Sequence, residues 1–279
     1  MTIRTDAVST GELRMDLLAG IALKRSAQLW FLTAVFGHWI FSLYIFGFYG
    51  PLLLLGGLEA LDKTHLPGGY IPGDTFGNVA SAAHILFSGI IMGGGPLQLI
   101  PQVRARMPSF HRWLGRIYMP SAVIASLTGL YMIWLRDATT IGSMTQHIGI
   151  SLGGVLVIIF AAFALHHAMA GDIKTHRRWA LRLFLTVSGV WFARVGRKAW
   201  DFLTGGAGID YETFTGPFLD FWAFGQHLLP LAILELYFLS QDRAGPRGRI
   251  AMTVVIFTAA VLTGIGVFQA SVVMWLPRL

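Results

Sequence analysis

The chain has 279 residues, 54% of them hydrophobic and only 13% charged, with a net charge of +7 and no cysteine. An ordinary soluble domain carries about 25% charged residues, so a soluble globular enzyme is excluded. The missing thiols exclude disulfides, iron–sulfur clusters, thiolate-held haem and cysteine nucleophiles. Lys and Arg gathered in short loops on one side of a membrane account for the positive charge better than a nucleic-acid surface does.

Runs of about 20 apolar residues, each enough for a hydrocarbon core about 30 Å thick, recur along most of the sequence. The expected fold is all-α: a polytopic helical membrane protein of about seven transmembrane helices, with spans two to five as a four-helix central bundle. Residues 1–28 read as an N-terminal cytoplasmic and interfacial segment, and 29–279 as a single transmembrane domain with its core at 79–198.

Span one, at 29–49, carries His38 beside Trp39 and stops at Pro51. A Gly/Pro-rich loop with His65 and Asp74 leads to span two at 79–100, which holds His84 and the small-residue run Gly93-Gly94-Gly95-Pro96. Such residues let helices approach closely, and the proline predicts a kink. Span three, at 111–135, opens on His111-Arg112 after Pro108 and Ser109, residues suited to a helix start. Span four runs from His147 to His166-His167, and span five from His176 to Arg194, Arg197 and Lys198. Span six, at 218–239, contains His227, Pro230 and Glu235, and span seven covers 250–276. Most of the 21 basic residues then fall on the N-terminal side, in the leader and the turns around 104–116, 174–182 and 243–249. That bias predicts an N-terminus on the cytoplasmic side and a C-terminus outside.

Ionisable groups inside a membrane are costly and mark function. Antiparallel spans put His84 and His147 toward the outer face, and His111 and His176 at the inner one. The layout is that of a cage for one or two b-type haems, each iron held by two imidazoles from facing helices. Arg112, Arg116 and Arg182 would meet haem propionates, because guanidinium matches carboxylate geometry. His38 and His227 are deeper and can stand in for His147, serve packing, or lie on a proton path. The Gly149-x-Ser151-x-Gly153 pattern lies in an apolar span, without the strand-to-helix turn a nucleophile elbow needs.

The ordered set His84, Gly95-Pro96-Leu97-Gln98, His111-Arg112-Trp113-Leu114-Gly115-Arg116-Ile117-Tyr118 and His176-Arg177-Arg178-Trp179, with Arg182 and Arg194, resembles the DUF2306 family of predicted bacterial membrane proteins over about 79–198. Ala180 stands where that family commonly has Met. More distantly, His84 with Leu97-Gln98, followed by His111 with Gly115-Arg116, is similar to one helical pair of the cytochrome b561 superfamily. That resemblance implies haem ligation by His84 and His111. The expected function is b-type haem electron transfer, with quinone or quinol as a partner. The alternatives are a non-catalytic accessory or assembly subunit of a larger respiratory or photosynthetic membrane complex, and a transporter or lipid-binding protein. In each case the lipid bilayer is a partner and nucleic acid is not.

Overall fold

A computed structural model describes residues 10–64, 69–136 and 142–279. His65 lies outside the described residues, as do the first nine residues of the leader. All regular structure among the described residues is helical. Helix α1 (Thr10–Tyr44) passes through a π turn at Ile45–Tyr49 into α2 (Gly50–Gly56). Then come α3 (Thr75–Leu99), α4 (Pro101–Arg106), α5 (Pro108–Trp134) and α6 (Met144–Met169). The chain continues through α7 (Ile173–Val187), α8 (Gly189–Thr204), α9 (Pro217–Asp242) and α10 (Pro246–Ala270).

Six of these stretches are long and apolar enough to cross a membrane: α1 with α2, α3, α5, α6, α9 and α10 with its C-terminal turns. The chain is thus a polytopic helical membrane protein. Leu32, Phe36, Val254 and Phe268 are among many large apolar residues on its outside, as a lipid-facing surface requires.

The expected fifth span is the exception. It is two helices, α7 and α8, of 15 and 16 residues, meeting at Ser188, and it is not among the six long apolar stretches. It still runs through the bundle, because its inward side is apolar: Leu183, Phe184, Trp191, Phe192 and Val195 are buried. Its cations sit near its two ends. A helix walled by other helices need not be apolar all round.

The first helix starts earlier than the apolar run suggests. Residues 10–28 are already helical and continuous with span one, because Ala19, Leu23 and Ser26 bury against α10. Leu23 joins Met252 and Ile256 in a small apolar cluster, and Arg249 donates to Asp16 at 2.9 Å.

The small-residue stripe of α3 does what its composition predicts. Ser42 Oγ donates to the Gly89 carbonyl at 2.9 Å and Trp39 Nε1 to the Gly93 carbonyl at 3.2 Å, contacts that need bare backbone at those positions. Despite Pro96, α3 stays helical through Leu99.

Arg136 locks the end of the bundle where α3 begins. Its side chain, 1% exposed, donates to Asp74 (3.0 Å), Ser81 (2.6 Å), Asn78 (2.7 Å) and the Gly69 carbonyl (3.0 Å). Asp74 also caps α3 by accepting from the Gly77 N–H at 2.8 Å. The opposite end, rich in arginine at Arg104, Arg112, Arg116 and Arg177, is called the basic end below.

Candidate functional site

At the basic end, two short turns set two histidines in place. Pro108 opens α5 with its φ preset for a helix, which puts His111 in the first turn. Gly171, at φ 73°, turns α6 back into α7, and Asp172 caps α7 by accepting from the Thr175 N–H at 3.1 Å. Hydrogen bonds from Thr175, its side chain foremost and then its backbone N–H, hold the Asp172 carboxyl below the usual carboxylate range. The tight turn lays His176 beside Ala164, and His176 Nδ1 sits 2.8 Å from the Ala164 carbonyl.

A carbonyl can only accept, so Nδ1 carries the proton there. Neutral His176 is therefore left with its Nε2 lone pair free. Fixing Nδ1–H on a carbonyl is how a metal-ligating imidazole is held and oriented.

His111 lies within electrostatic reach of His176, Arg104 and Arg112, and its buried Nδ1 has no hydrogen-bond partner. Arg104 in turn lies within reach of Arg177. Among the described residues Arg104, Arg116 and Arg177 meet no carboxylate, and Arg112 donates only to Ser109 Oγ at 3.2 Å. This is a cation cluster without internal counter-charge.

Arg182 is different. It forms a two-pronged pair with Glu235 of α9 at 2.7 and 2.8 Å and stacks over Trp179. Arg178 grips Asp242 at 2.7 Å and lies over Phe238. Both bind α7 to α9, so Arg182, expected at a propionate, is already engaged.

In the other half of the bundle His84 repeats the His176 arrangement. Its Nδ1 is 2.8 Å from the Ala125 carbonyl of α5, so in the neutral ring Nε2 is again the free lone pair. A Cβ at Gly129 would stand 3.1 Å from His84 Cε1; the ring lies flat on α5 because that position is glycine.

Arg194 lies within electrostatic reach of His84. Arg194 donates to the Val190 carbonyl at 2.9 Å, lies over Phe41, and has Tyr44 and Tyr49 within electrostatic reach. His147 packs edge-on against Trp134, ring centroids 6.3 Å apart. Trp134 is six residues beyond Thr128, which touches His84, a rise of about 9 Å along α5. The two outer histidines therefore do not share a level.

The deeper histidines sit at the centre. His227 is pinned between Gly153 and Gly189, where a Cβ would fall 2.2 Å and 1.9 Å from its ring. Its Nδ1 lies 3.3 Å from the Thr186 carbonyl and its Nε2 has no partner. His38 is 1% exposed and lies edge-on to Trp191 at 4.4 Å and Phe184 at 5.3 Å; neither ring nitrogen has a partner. Sequence reasoning undervalued His38 and missed Arg194 as a site residue. The one signal available was their charge or polarity at mid-span.

Residues 81–206 match the family DUF2306, described as a predicted membrane protein. The match covers 126 of the 279 residues, from 81 to 206. Comparison with curated proteins found no match, and comparison with solved structures found none. The DUF2306 segment runs from the second helical turn of α3 to the loop after α8, so it contains His84, His111, His147, His176 and every arginine of both centres. His38 and His227 reach into it from α1 and α9, outside the matched residues.

Proposed function

We propose that this chain is a b-type haem electron-transfer protein of the bacterial inner membrane, similar in its ligand helices to the cytochrome b561 superfamily. The observation that carries the reading is His176 at the basic end, its Nδ1 anchored on the Ala164 carbonyl and its ring within electrostatic reach of His111. Two imidazoles from facing helices, one with its Nε2 lone pair free, suit axial ligation. The surrounding guanidiniums, free of carboxylates, suit an acidic cofactor edge. Arg104, Arg112, Arg116 and Arg177 would hold the propionates, and Arg182 would steady α7 against α9.

A second centre at His84 has an anchored imidazole and Arg194 as cation, with a deeper histidine, His38 or His227, as the further ligand. A haem supplies reversible one-electron exchange; the helices tune its potential by ligand identity, burial and nearby positive charge. The basic end would face the cytoplasm, as the distribution of Lys and Arg favours. Quinol is the proposed reductant, a small apolar donor that reaches the site from the bilayer.

The deciding measurement is a reduced-minus-oxidised absorption spectrum of protein purified from haem-replete cells. A six-coordinate haem b spectrum is expected, and His111→Ala and His176→Ala should each lose it at the basic-end site. Colourless wild-type protein overturns the proposal. Haem present only in a co-purifying partner supports the accessory-subunit reading instead.

A further inference from the structure

Two turns far apart in the chain are wound wide in the same way and lie together. One is the π turn Ile45–Tyr49 after α1; the other is Ser271–Trp275, which follows α10. The last residues run along span one, since a Cβ at Gly47 would fall 2.5 Å from the Leu279 side chain. Helices widened in this way are rare, and they recur at functional sites.

Between the two turns stands an aromatic wall with cations on it. The Phe41 ring lies 4.9 Å from Trp275 and 6.2 Å from Tyr44, between centroids. Arg194 of α8 lies over Phe41 at 5.3 Å, and Arg278 donates to the Tyr44 hydroxyl at 3.3 Å. Arg197 ties α8 to the same turn, its guanidinium 3.9 Å from Met274 Sδ. The neighbouring Ser42 is turned to α3 and donates to Gly89, so this wall is a different side of span one from the one that meets α3.

The set is rich in donors and lacks negative charge. Neither Arg194 nor Arg278 meets a carboxylate among the described residues. Asp201, the one acid of α8, is taken by Arg197 at 3.0 Å and Lys198 at 3.2 Å. Trp275 is fully buried and its indole N–H has no partner; Ser271, 5% exposed, has an unpartnered hydroxyl. Buried donors left unpaired are costly, and guanidiniums without counter-charge call for an anion. From these groups we infer that the wall between span one and the C-terminal turns binds a phosphate group, held by Arg278 and Trp275 with Tyr44 and Arg194 beside them. Phosphate fits better than carboxylate, because two guanidiniums, an indole N–H and hydroxyls offer more donors than two oxygens can use. An acidic phospholipid headgroup and free phosphate present the same oxygens. The inference goes beyond the haem reading. Arg194 is the cation of the second centre proposed above, so the test leaves it in place.

The test is hydrogen–deuterium exchange of the full chain in an uncharged detergent, read by mass spectrometry over residues 41–49 and 271–279. Sodium phosphate and a short-chain phosphatidylglycerol are each compared with sodium chloride at equal ionic strength. A ligand at about ten times its dissociation constant should slow exchange in both segments about tenfold, as mass action requires. Protection by both compounds assigns the phosphate alone; protection by the lipid only assigns a headgroup with its chains. Arg278→Gln and Trp275→Phe, each checked for folding by size exclusion, should lose the protection. Absorption of the same samples reports on the haem reading separately. Wild-type exchange unchanged by either compound overturns the inference, as does full protection in both folded variants.

Discussion

The two ends of the bundle use arginine in opposite ways. Arg136 is buried and donates to two carbonyl oxygens, a carboxylate and a hydroxyl. Arg104, Arg116 and Arg177 at the basic end meet no carboxylate among the described residues. A guanidinium whose donors are spent on the fold can only hold the fold. Guanidiniums held close together without counter-charge repel one another, and a bound anion offsets that. Arg182 is intermediate: it is paired, but with a Glu235 that is 47% exposed.

If that contrast is correct, variants should sort by end. The largest stability effect is expected at Arg136→Met, about 3–5 kcal/mol, because it leaves the Asp74 carboxylate without its counter-charge and removes every hydrogen bond of the lock. Thermal unfolding in detergent reads it, and a loss under 1 kcal/mol would make the lock ornamental. Next comes Gly189→Ala, expected to cost about 1–3 kcal/mol as its methyl meets His227. Adding His227→Ala should recover part of that, and additive losses would contradict the close packing.

Arg182→Gln should cost up to about 1 kcal/mol, as partly exposed ion pairs do, with haem binding kept. At the small end, Arg177→Ala should stay within about 0.5 kcal/mol of wild type in stability yet lower the midpoint potential of the proposed haem, since a nearby positive charge favours the reduced form. No change in potential would argue that this cation serves only topology.

Much of the architecture was legible from sequence. Apolar runs of bilayer length, punctuated by Pro and basic turns, give the helical class and the order of the spans, since lipid leaves the backbone few options; about seven were expected, and six stretches are long and apolar enough. The glycines of α3 were legible as packing surface, and the contacts from Ser42 and Trp39 match that reading. Less legible was where a helix begins. Residues 10–28 are helical because α10 covers them, a contact between chain ends that no local pattern encodes. Span five was legible as a pass, though not as two helices whose charges are tolerated because neighbours wall them in.

For the site, sequence alone determined which residue types stand at which depth, to within a turn or two, and so nominated His84, His111, His147 and His176. Tertiary structure decided the company each one keeps. It set His111 within electrostatic reach of His176 and Arg194 within that of His84, left His147 about 9 Å farther out along α5, and committed Arg182 to Glu235. Depth follows from counting 1.5 Å per residue along a helix. Which side chain faces which depends on helix rotation and neighbour order, and those are set by contacts such as His176 on the Ala164 carbonyl and His227 between two glycines.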